Sequence, residues 1–149
     1  MKNSDELAQS IYQRLLGQIR NALFEVDFEA YASHFELPNL VETFDGHFYI
    51  NTEKELAVIF DKTRHSLALE NIRDFARHCA VARFIDEETI SAGHATRLIT
   101  DQLEIQNSYP ALSTLKLTNG SWRIKSSQYA VASSKLPVDL SKLVHSMRS

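Results

Sequence analysis

The residue of this 149-residue chain that best suits acid–base chemistry is His94, which lies in an alternating segment spanning residues 90–99. Alternation predicts a strand and places Thr96 on the same face as His94. The register inferred for the next strand adds Ser113 to that face. A neutral imidazole among small polar side chains can accept or donate a proton near pH 7. A half-buried histidine that only hydrogen-bonds to the sheet or to a helix also fits the pattern, so both interpretations stay open.

Other candidate ligand contacts surround the same predicted pocket. Tyr12 on the first predicted helix and Tyr109 on a strand could each donate a hydrogen bond to an oxygen of a bound molecule. The predicted register also places Ser126 and Gln128 on this inner face. His34, on the second predicted helix, could line the rim of the pocket or lie on the surface.

Two aspartates and the single cysteine have structural explanations. Asp27 is predicted to cap a helix N-terminus. Asp45 precedes Gly46 in a turn, where an aspartate side chain hydrogen-bonds its own backbone. Cys79 lies in the middle of a predicted strand and is followed by Ala80 and Val81, which is typical of a small core residue. It would become a nucleophile only if a neighbouring base or helix N-terminus lowered its pKa.

The sequence predicts no metal site and no cofactor. His65, His78 and His94 lack the spacings at which helices and cysteine clusters hold metals, and neither HExxH nor CxxC occurs. The four glycines are not clustered, so no phosphate-binding loop is expected.

Composition excludes several classes of partner. With a formal net charge of −3, the chain lacks the excess of positive charge that favours binding to nucleic acid or to an anionic membrane. No apolar run approaches the roughly 18–20 residues that cross a bilayer. The polar start predicts no signal peptide, and a single cysteine fits a reducing cytoplasm. The length fits one domain, residues 1–149, with a core at about 5–133 and a C-terminal tail at 134–149.

Hydrophobic periodicity and turn signals predict two helices, a β-hairpin at residues 40–50, a third helix and then four further strands. The first helix spans about residues 5–25, the second spans 28–35, and the third follows a capping box at 52–55. Residues 119–120, Asn-Gly, predict a type I′ hairpin turn. Strands gathered after helices indicate an α+β fold, in which a cone-shaped, curved antiparallel sheet packs around three N-terminal helices.

The turns set a register that assigns each strand residue to one face. Opposing Leu117 to Trp122 places Ser113 beside Ser126, and the neighbouring hairpin places Val81 near His94. The outer face is partly apolar, which is typical of a subunit contact. We therefore expect a homodimer through this outer face, around Ala80, Ala82, Leu112, Tyr129 and Val131.

Four loose motifs point to a known family. They are Asp27-Phe-x-x-Tyr31, Thr43-Phe-Asp-Gly46, Thr52-Glu-x-Glu-Leu56 and Asn119-Gly-Ser-Trp-Arg-Ile124. On these residues the chain resembles the nuclear transport factor 2-like superfamily, which includes the SnoaL-like polyketide cyclases, ketosteroid isomerase and scytalone dehydratase. The resemblance covers about residues 5–133. It implies a single SnoaL-like domain with a cystatin-like cone, a pocket between sheet and helices, and often a dimer.

The resemblance implies either an enzyme acting on hydrophobic ligands or a non-catalytic binding protein. The paired acids of ketosteroid isomerases have no counterpart on the predicted inner face. We expect a small hydrophobic-ligand-binding protein, whose partner is an unidentified small apolar molecule. The alternative is an acid–base isomerase, cyclase or dehydratase that acts on a small carbonyl compound, with His94 as the base.

Overall fold

The computed structural model describes residues 2–100, 105–106, 109–140 and 142–143. The helices within these ranges are α1 (Lys2–Glu25), α2 (Phe28–Ala32) and α3 (Glu53–Leu69). The strands are β1 (Phe35–Thr43), β2 (Gly46–Ile50), β3 (Ile72–Asp86), β4 (Thr89–Thr100), β5 (Ile105–Gln106), β6 (Pro110–Thr118) and β7 (Ser121–Tyr129). A short 3₁₀ turn follows at Ser133–Lys135. None of the described helices is long and apolar enough to cross a membrane.

The described strands form one sheet in the order β2-β1-β7-β6-β4-β3, with β5 paired to β4. The predicted α+β architecture is confirmed. One pair departs from the expected antiparallel pattern, because β1 runs parallel to β7. The chain leaves α2 and enters the sheet directly beside β7, where the amide of Ile124 donates to the carbonyl of His34 at 2.8 Å.

The local signals in the sequence are confirmed. Asn119 and Gly120 both have positive φ, at 51° and 80°, as a type I′ turn requires. The Thr52 hydroxyl accepts from the amide of Glu55 at 3.1 Å, and Asp27 caps α2 through the amide of Ala30.

The second helix is shorter than predicted. It ends at Ala32, and Phe35 already begins β1. Pro38 therefore lies within a strand, in the interval between Phe35 and Leu40 where the pairing of β1 with β7 is irregular. Proline has no N–H for the ladder, so its place in this interval leaves the regular part of the strand intact.

Helix α1 packs along the sheet through a stripe that is fully or nearly fully buried: Ala8, Tyr12, Leu15, Leu16, Ile19, Ala22 and Leu23. Gln13 fixes this helix to the edge strand β3. Its side-chain amide donates to the carbonyl of Arg77 at 2.9 Å, and its oxygen accepts from the amide of Cys79 at 2.7 Å. These bonds satisfy backbone groups that an edge strand would otherwise leave unpaired.

Because of two β-bulges, several strand residues lie on the opposite face of the sheet from the one predicted. Ala80 is an extra residue in β3, between the pairs that Cys79 and Val81 make with β4. The residues from Val81 to Phe84 therefore change face, since side chains alternate, and a further register shift follows before Asp86. Ala82 is consequently buried at 1% exposure, and Val81 is exposed at 53%, the reverse of the prediction.

The second bulge is at Lys125 in β7. Leu115 pairs with Ile124 as predicted, but Thr114 already pairs with Ser126 and Ser113 pairs with Ser127. The side chains of Ser126 and Gln128 therefore point away from the helices. Tyr129, assigned to the outer face by the sequence, points inward instead.

Residues 136–140 fall within the predicted C-terminal tail, but they pack against the core, and Leu140 is only 6% exposed. Asp45 anchors the turn that precedes them. Its carboxylate accepts from the amide and the hydroxyl of Ser133, each at 2.6 Å. The predicted bond of Asp45 to its own turn is thus replaced by a contact 88 residues away, which holds the pKa of this carboxyl below its usual range.

We expect Asp45→Ala to loosen the segment formed by residues 136–140 without unfolding the sheet, because it removes both acceptor contacts to Ser133. Hydrogen exchange monitored by mass spectrometry should show faster exchange in that segment. The matched control is Asp86→Ala, which removes another turn carboxylate that accepts from the amide of Glu88 at 2.8 Å. Equal protection of the segment in both variants would contradict this role.

Candidate functional site

A cavity of about 160 Å³ lies between the helices and the sheet. Most of its wall is apolar, with side chains from α1, α3, β3, β4, β7 and the segment formed by residues 136–140. The main apolar residues are Leu16, Ile19, Leu23, Leu56, Ile59, Phe75, Leu98, Ile124, Leu136 and Leu140. A cavity of about 150 Å³ in a protein interior is large enough to hold benzene. The space therefore suits a molecule with one small ring or a short branched chain.

Three polar side chains form a hydrogen-bonded group on the wall where α1 meets β4 and β6. The Tyr12 hydroxyl is hydrogen-bonded to Nδ1 of His94 and lies 3.1 Å from the Ser113 hydroxyl oxygen. Tyr12 has no exposed surface, and His94 and Ser113 are each 4% exposed. His94 and Ser113 line the cavity, while Tyr12 supports them from α1.

Burial determines the protonation of this group. Desolvation, with a smaller contribution from the positive charge of Arg77, lowers the pKa of His94 to about 3. Desolvation also raises the pKa of the Tyr12 hydroxyl above its usual range. The imidazole is therefore neutral and the phenol protonated at pH 7. The second ring nitrogen, Nε2, is buried and has no hydrogen-bond partner in the described part of the chain.

Arg77 brings a positive charge to the same cavity. It lies on β3 opposite Thr96 and lines the cavity. Its Nη2 donates to the carbonyl of Leu16 at 3.2 Å, and its buried Nε has no partner among the described residues. Burial lowers the pKa of this guanidinium below its ordinary value, although arginine stays protonated at any physiological pH.

Three tyrosines add hydroxyl groups to the wall: Tyr31, Tyr109 and Tyr129. The rings of Tyr109 and Tyr129 meet edge to face, with centroids 6.0 Å apart. Desolvation raises the pKa of both Tyr31 and Tyr109, so their hydroxyls remain neutral hydrogen-bond donors. Among the described residues that line the cavity, none is an aspartate or a glutamate.

Several of the predicted site residues meet in this cavity. His94, Thr96, Tyr109 and Ser113 line it, and Tyr12 lies directly behind two of them. Their roles in binding remain predictions.

Three other predicted contacts lie elsewhere. Ser126 and Gln128 face away because of the bulge at Lys125, and Gln128 is exposed and donates to Glu42 at 2.9 Å. His34 follows the end of α2 and does not line the cavity; Tyr31, one turn earlier, does.

The sequence reasoning missed Arg77, Asn39, Ser127, Tyr31 and Tyr129. Alternation from Cys79 back along β3 places Arg77 on the inner face, so this residue could have been found. Asn39 is 2% exposed and donates to the carbonyl of Ile124 at 2.8 Å, in a stretch predicted to precede its strand. Ser127 and Tyr129 were hidden by the bulge, which has no signal in the sequence.

The described residues contain no group of three or more histidine, cysteine, aspartate or glutamate side chains arranged to hold a metal ion. The thiol of Cys79 is half-buried, and burial raises its pKa. A thiol with a raised pKa is a poor nucleophile at neutral pH.

No family model matches this chain. No curated protein is similar to it in sequence. Solved structures do match it. A domain of unknown function with a cystatin-like fold from Nostoc punctiforme superposes with a TM-score of 0.65 at 16% identity, covering 95% of this chain and 86% of that one.

Two further structures show the same likeness. A nuclear transport factor 2-like protein of unknown function from Shewanella oneidensis has a TM-score of 0.62 at 12% identity, with 87% and 99% coverage. A protein provisionally assigned as a scytalone dehydratase from Novosphingobium aromaticivorans has a TM-score of 0.59 at 14% identity, with 87% of each chain covered. Identities this low establish the fold alone. The protein has the cystatin-like, nuclear transport factor 2-like fold that the sequence predicts.

The buried imidazole should make stability depend on pH in a specific way. The unfolded chain takes up a proton at this histidine as the pH falls below 6.5, whereas the folded protein resists protonation until about pH 3. Stability should therefore decrease as the pH falls from 6.5 to 4, by about 3 kcal/mol from this group alone. His94→Asn keeps an acceptor oxygen for Tyr12 and should remove about that part of the decrease.

Urea unfolding at pH 6.5 and pH 4 measures this difference. His47→Asn, which changes an exposed histidine, is the control and should retain the wild-type decrease. The same decrease in the His94→Asn protein would show that burial does not perturb this imidazole.

Proposed function

We propose that the protein binds a small, largely apolar molecule in the cavity between helices and sheet. The observation that carries the proposal is the cavity itself, because close-packed interiors seldom leave a void of this size. Its wall combines many apolar side chains with a few polar groups, which is the usual composition of a small-molecule site. The fold supplies the position of such a pocket and does not specify its ligand.

The alternative, an acid–base enzyme acting on a small carbonyl compound, has less support. A general base works best when its pKa is near the operating pH. Burial holds the pKa of His94 at about 3, which makes its imidazole a weak base at pH 7. No described carboxylate lines the cavity to replace it. A neutral histidine held by Tyr12 suits hydrogen bonding to a ligand better than proton abstraction.

Fluorobenzene is a suitable probe, since it fits the cavity volume and fluorine NMR detects its binding directly. Ser113→Phe places a ring in the cavity and should abolish binding. The fold should survive, because overpacking typically costs about 1–3 kcal/mol and this ring would enter unfilled space. Ser126→Phe is the matched control. Ser126 follows the Lys125 bulge on β7, so its side chain faces away from the cavity. This variant should bind fluorobenzene like the wild type.

Binding that persists in Ser113→Phe would place the probe outside the cavity. Absence of binding to the wild-type protein at millimolar fluorobenzene would contradict the proposal itself.

We also propose that a second copy of the chain covers the outer face of the sheet. Val81 and Leu112 are both more than half exposed, and each lies beside Gly93, so they form an apolar strip across three strands. Glu42 lies beyond one end of the strip on β1, and Arg83 is exposed on β3 at the other. If two copies pack face to face about a twofold axis with their strands parallel, the Glu42 side of one copy faces the Arg83 side of the other.

Leu112→Lys should shift the protein to monomer, because it buries an unpaired charge in this contact. Light scattering at micromolar concentration measures the change. Leu69→Lys, at a 71% exposed site on α3, should leave the mass unchanged. Ala82→Arg, which the predicted register suggested, would test folding instead, as Ala82 is buried. A monomeric wild type would contradict the dimer.

A further inference from the structure

The cavity contains a cation, Arg77, for which the described residues provide no counter-ion. The one ion pair among the described residues joins Arg20 to Asp74 on the surface and leaves Arg77 unpaired. Of the five guanidinium N–H groups of Arg77, one has a described acceptor, the carbonyl of Leu16. The face of the Phe75 ring, 4.9 Å from the guanidinium carbon, provides weak stabilisation.

Arg77 is half-buried, and a charge that is partly removed from water without a counter-ion costs free energy. The described groups around it do not supply a negative charge. Tyr31 and Tyr109 keep their protons, and the cavity wall has no carboxylate within the described ranges. An anionic ligand would remove this cost on binding, and a neutral ligand would not.

A second unsatisfied group points to the same chemistry. His94 is 4% exposed, lines the cavity, and its Nε2 has no partner among the residues described. The single proton of the Tyr12 hydroxyl can be donated to Ser113 or to Nδ1 of His94. When it is donated to Nδ1, the imidazole proton is on Nε2, and this nitrogen is a donor to a ligand oxygen. Arg77 and His94 lie on paired strands, opposite Thr96 and Cys79 respectively, so both belong to one side of the cavity.

We propose that the ligand is a small monocarboxylic acid, bound as its carboxylate with Arg77 and beside His94. This inference rests on the proposed binding function and deepens it. The guanidinium fork matches a carboxylate in two hydrogen bonds, which is the strongest pairing available to this residue. The apolar remainder of the wall then accepts the hydrocarbon body. Its volume limits that body to about one aromatic ring or a branched chain of similar size.

Benzoate and benzamide test the proposal, because they have nearly the same shape and differ in charge. Calorimetry should show that the wild type binds benzoate about 10- to 100-fold more tightly than benzamide, as expected for a charge-assisted pair. Arg77→Met should lose this preference while still binding benzamide, which shows that its cavity is intact. Arg77→Lys keeps the charge without the fork and should retain part of the preference. Arg20→Met removes a surface arginine and should retain all of it.

The pH dependence gives an independent readout. If the carboxylate is the bound form, the affinity for benzoate should be the same at pH 6 and pH 8, since Arg77 stays charged and the imidazole of His94 stays neutral without ligand at both. If the neutral acid were bound, affinity would fall about 100-fold over these two units. Such a fall would overturn the proposal.

Equal affinity of the wild type for benzoate and benzamide, or an undiminished preference in Arg77→Met, would also overturn it. The proposed binding function can fail separately. Binding of fluorobenzene and benzamide without a preference for benzoate refutes the carboxylate alone. Absence of binding by all three probes refutes both proposals.

Discussion

The extra residue at Ala80 in β3 is the constraint on which both sides of the sheet depend. Before it, Arg77 and Cys79 face the helices; after it, Ala82 does. One strand can thus contribute a charged group to the cavity at one end and a small, tightly packed residue to the core at the other. Gln13 on α1 binds the backbone on either side of His78, directly before the bulge, so the helix and the bulge fix each other. The same reversal turns Val81 outward.

The cavity therefore has a group of polar residues within a mostly apolar wall. The protonation and charge of these polar residues affect one another. Burial opposes protonation of His94, and the charge of Arg77 opposes it further, so the imidazole remains a neutral hydrogen-bonding group. Tyr12 fixes the orientation of that ring through Nδ1. A bound carboxylate would supply the guanidinium of Arg77 with the negative charge that the described residues do not provide.

Local interactions explain what the sequence predicts well. The capping box at Thr52 and the turn at Asn119 depend on a few adjacent residues, and the positions of His94 and Ser113 in the cavity follow from simple alternation. Bulges depend on contacts with other elements, and nothing near Lys125 in the sequence indicates one. The assignments that lie beyond the two bulges and were therefore reversed are those of Val81, Ala82, Ser126, Gln128 and Tyr129. The anchoring of the C-terminal residues by Asp45 also joins distant parts of the chain, so no local pattern could reveal it.

The central claim is that the cavity is a binding site and not a packing defect. A crystal structure of the protein grown with benzoate tests this claim most directly. We predict density for the ring between Leu16 and Phe75, with its carboxylate within hydrogen-bond distance of Arg77. A cavity closed by its own side chains, such as Tyr109 and Leu98, with benzoate absent or bound only at the surface, would contradict the account.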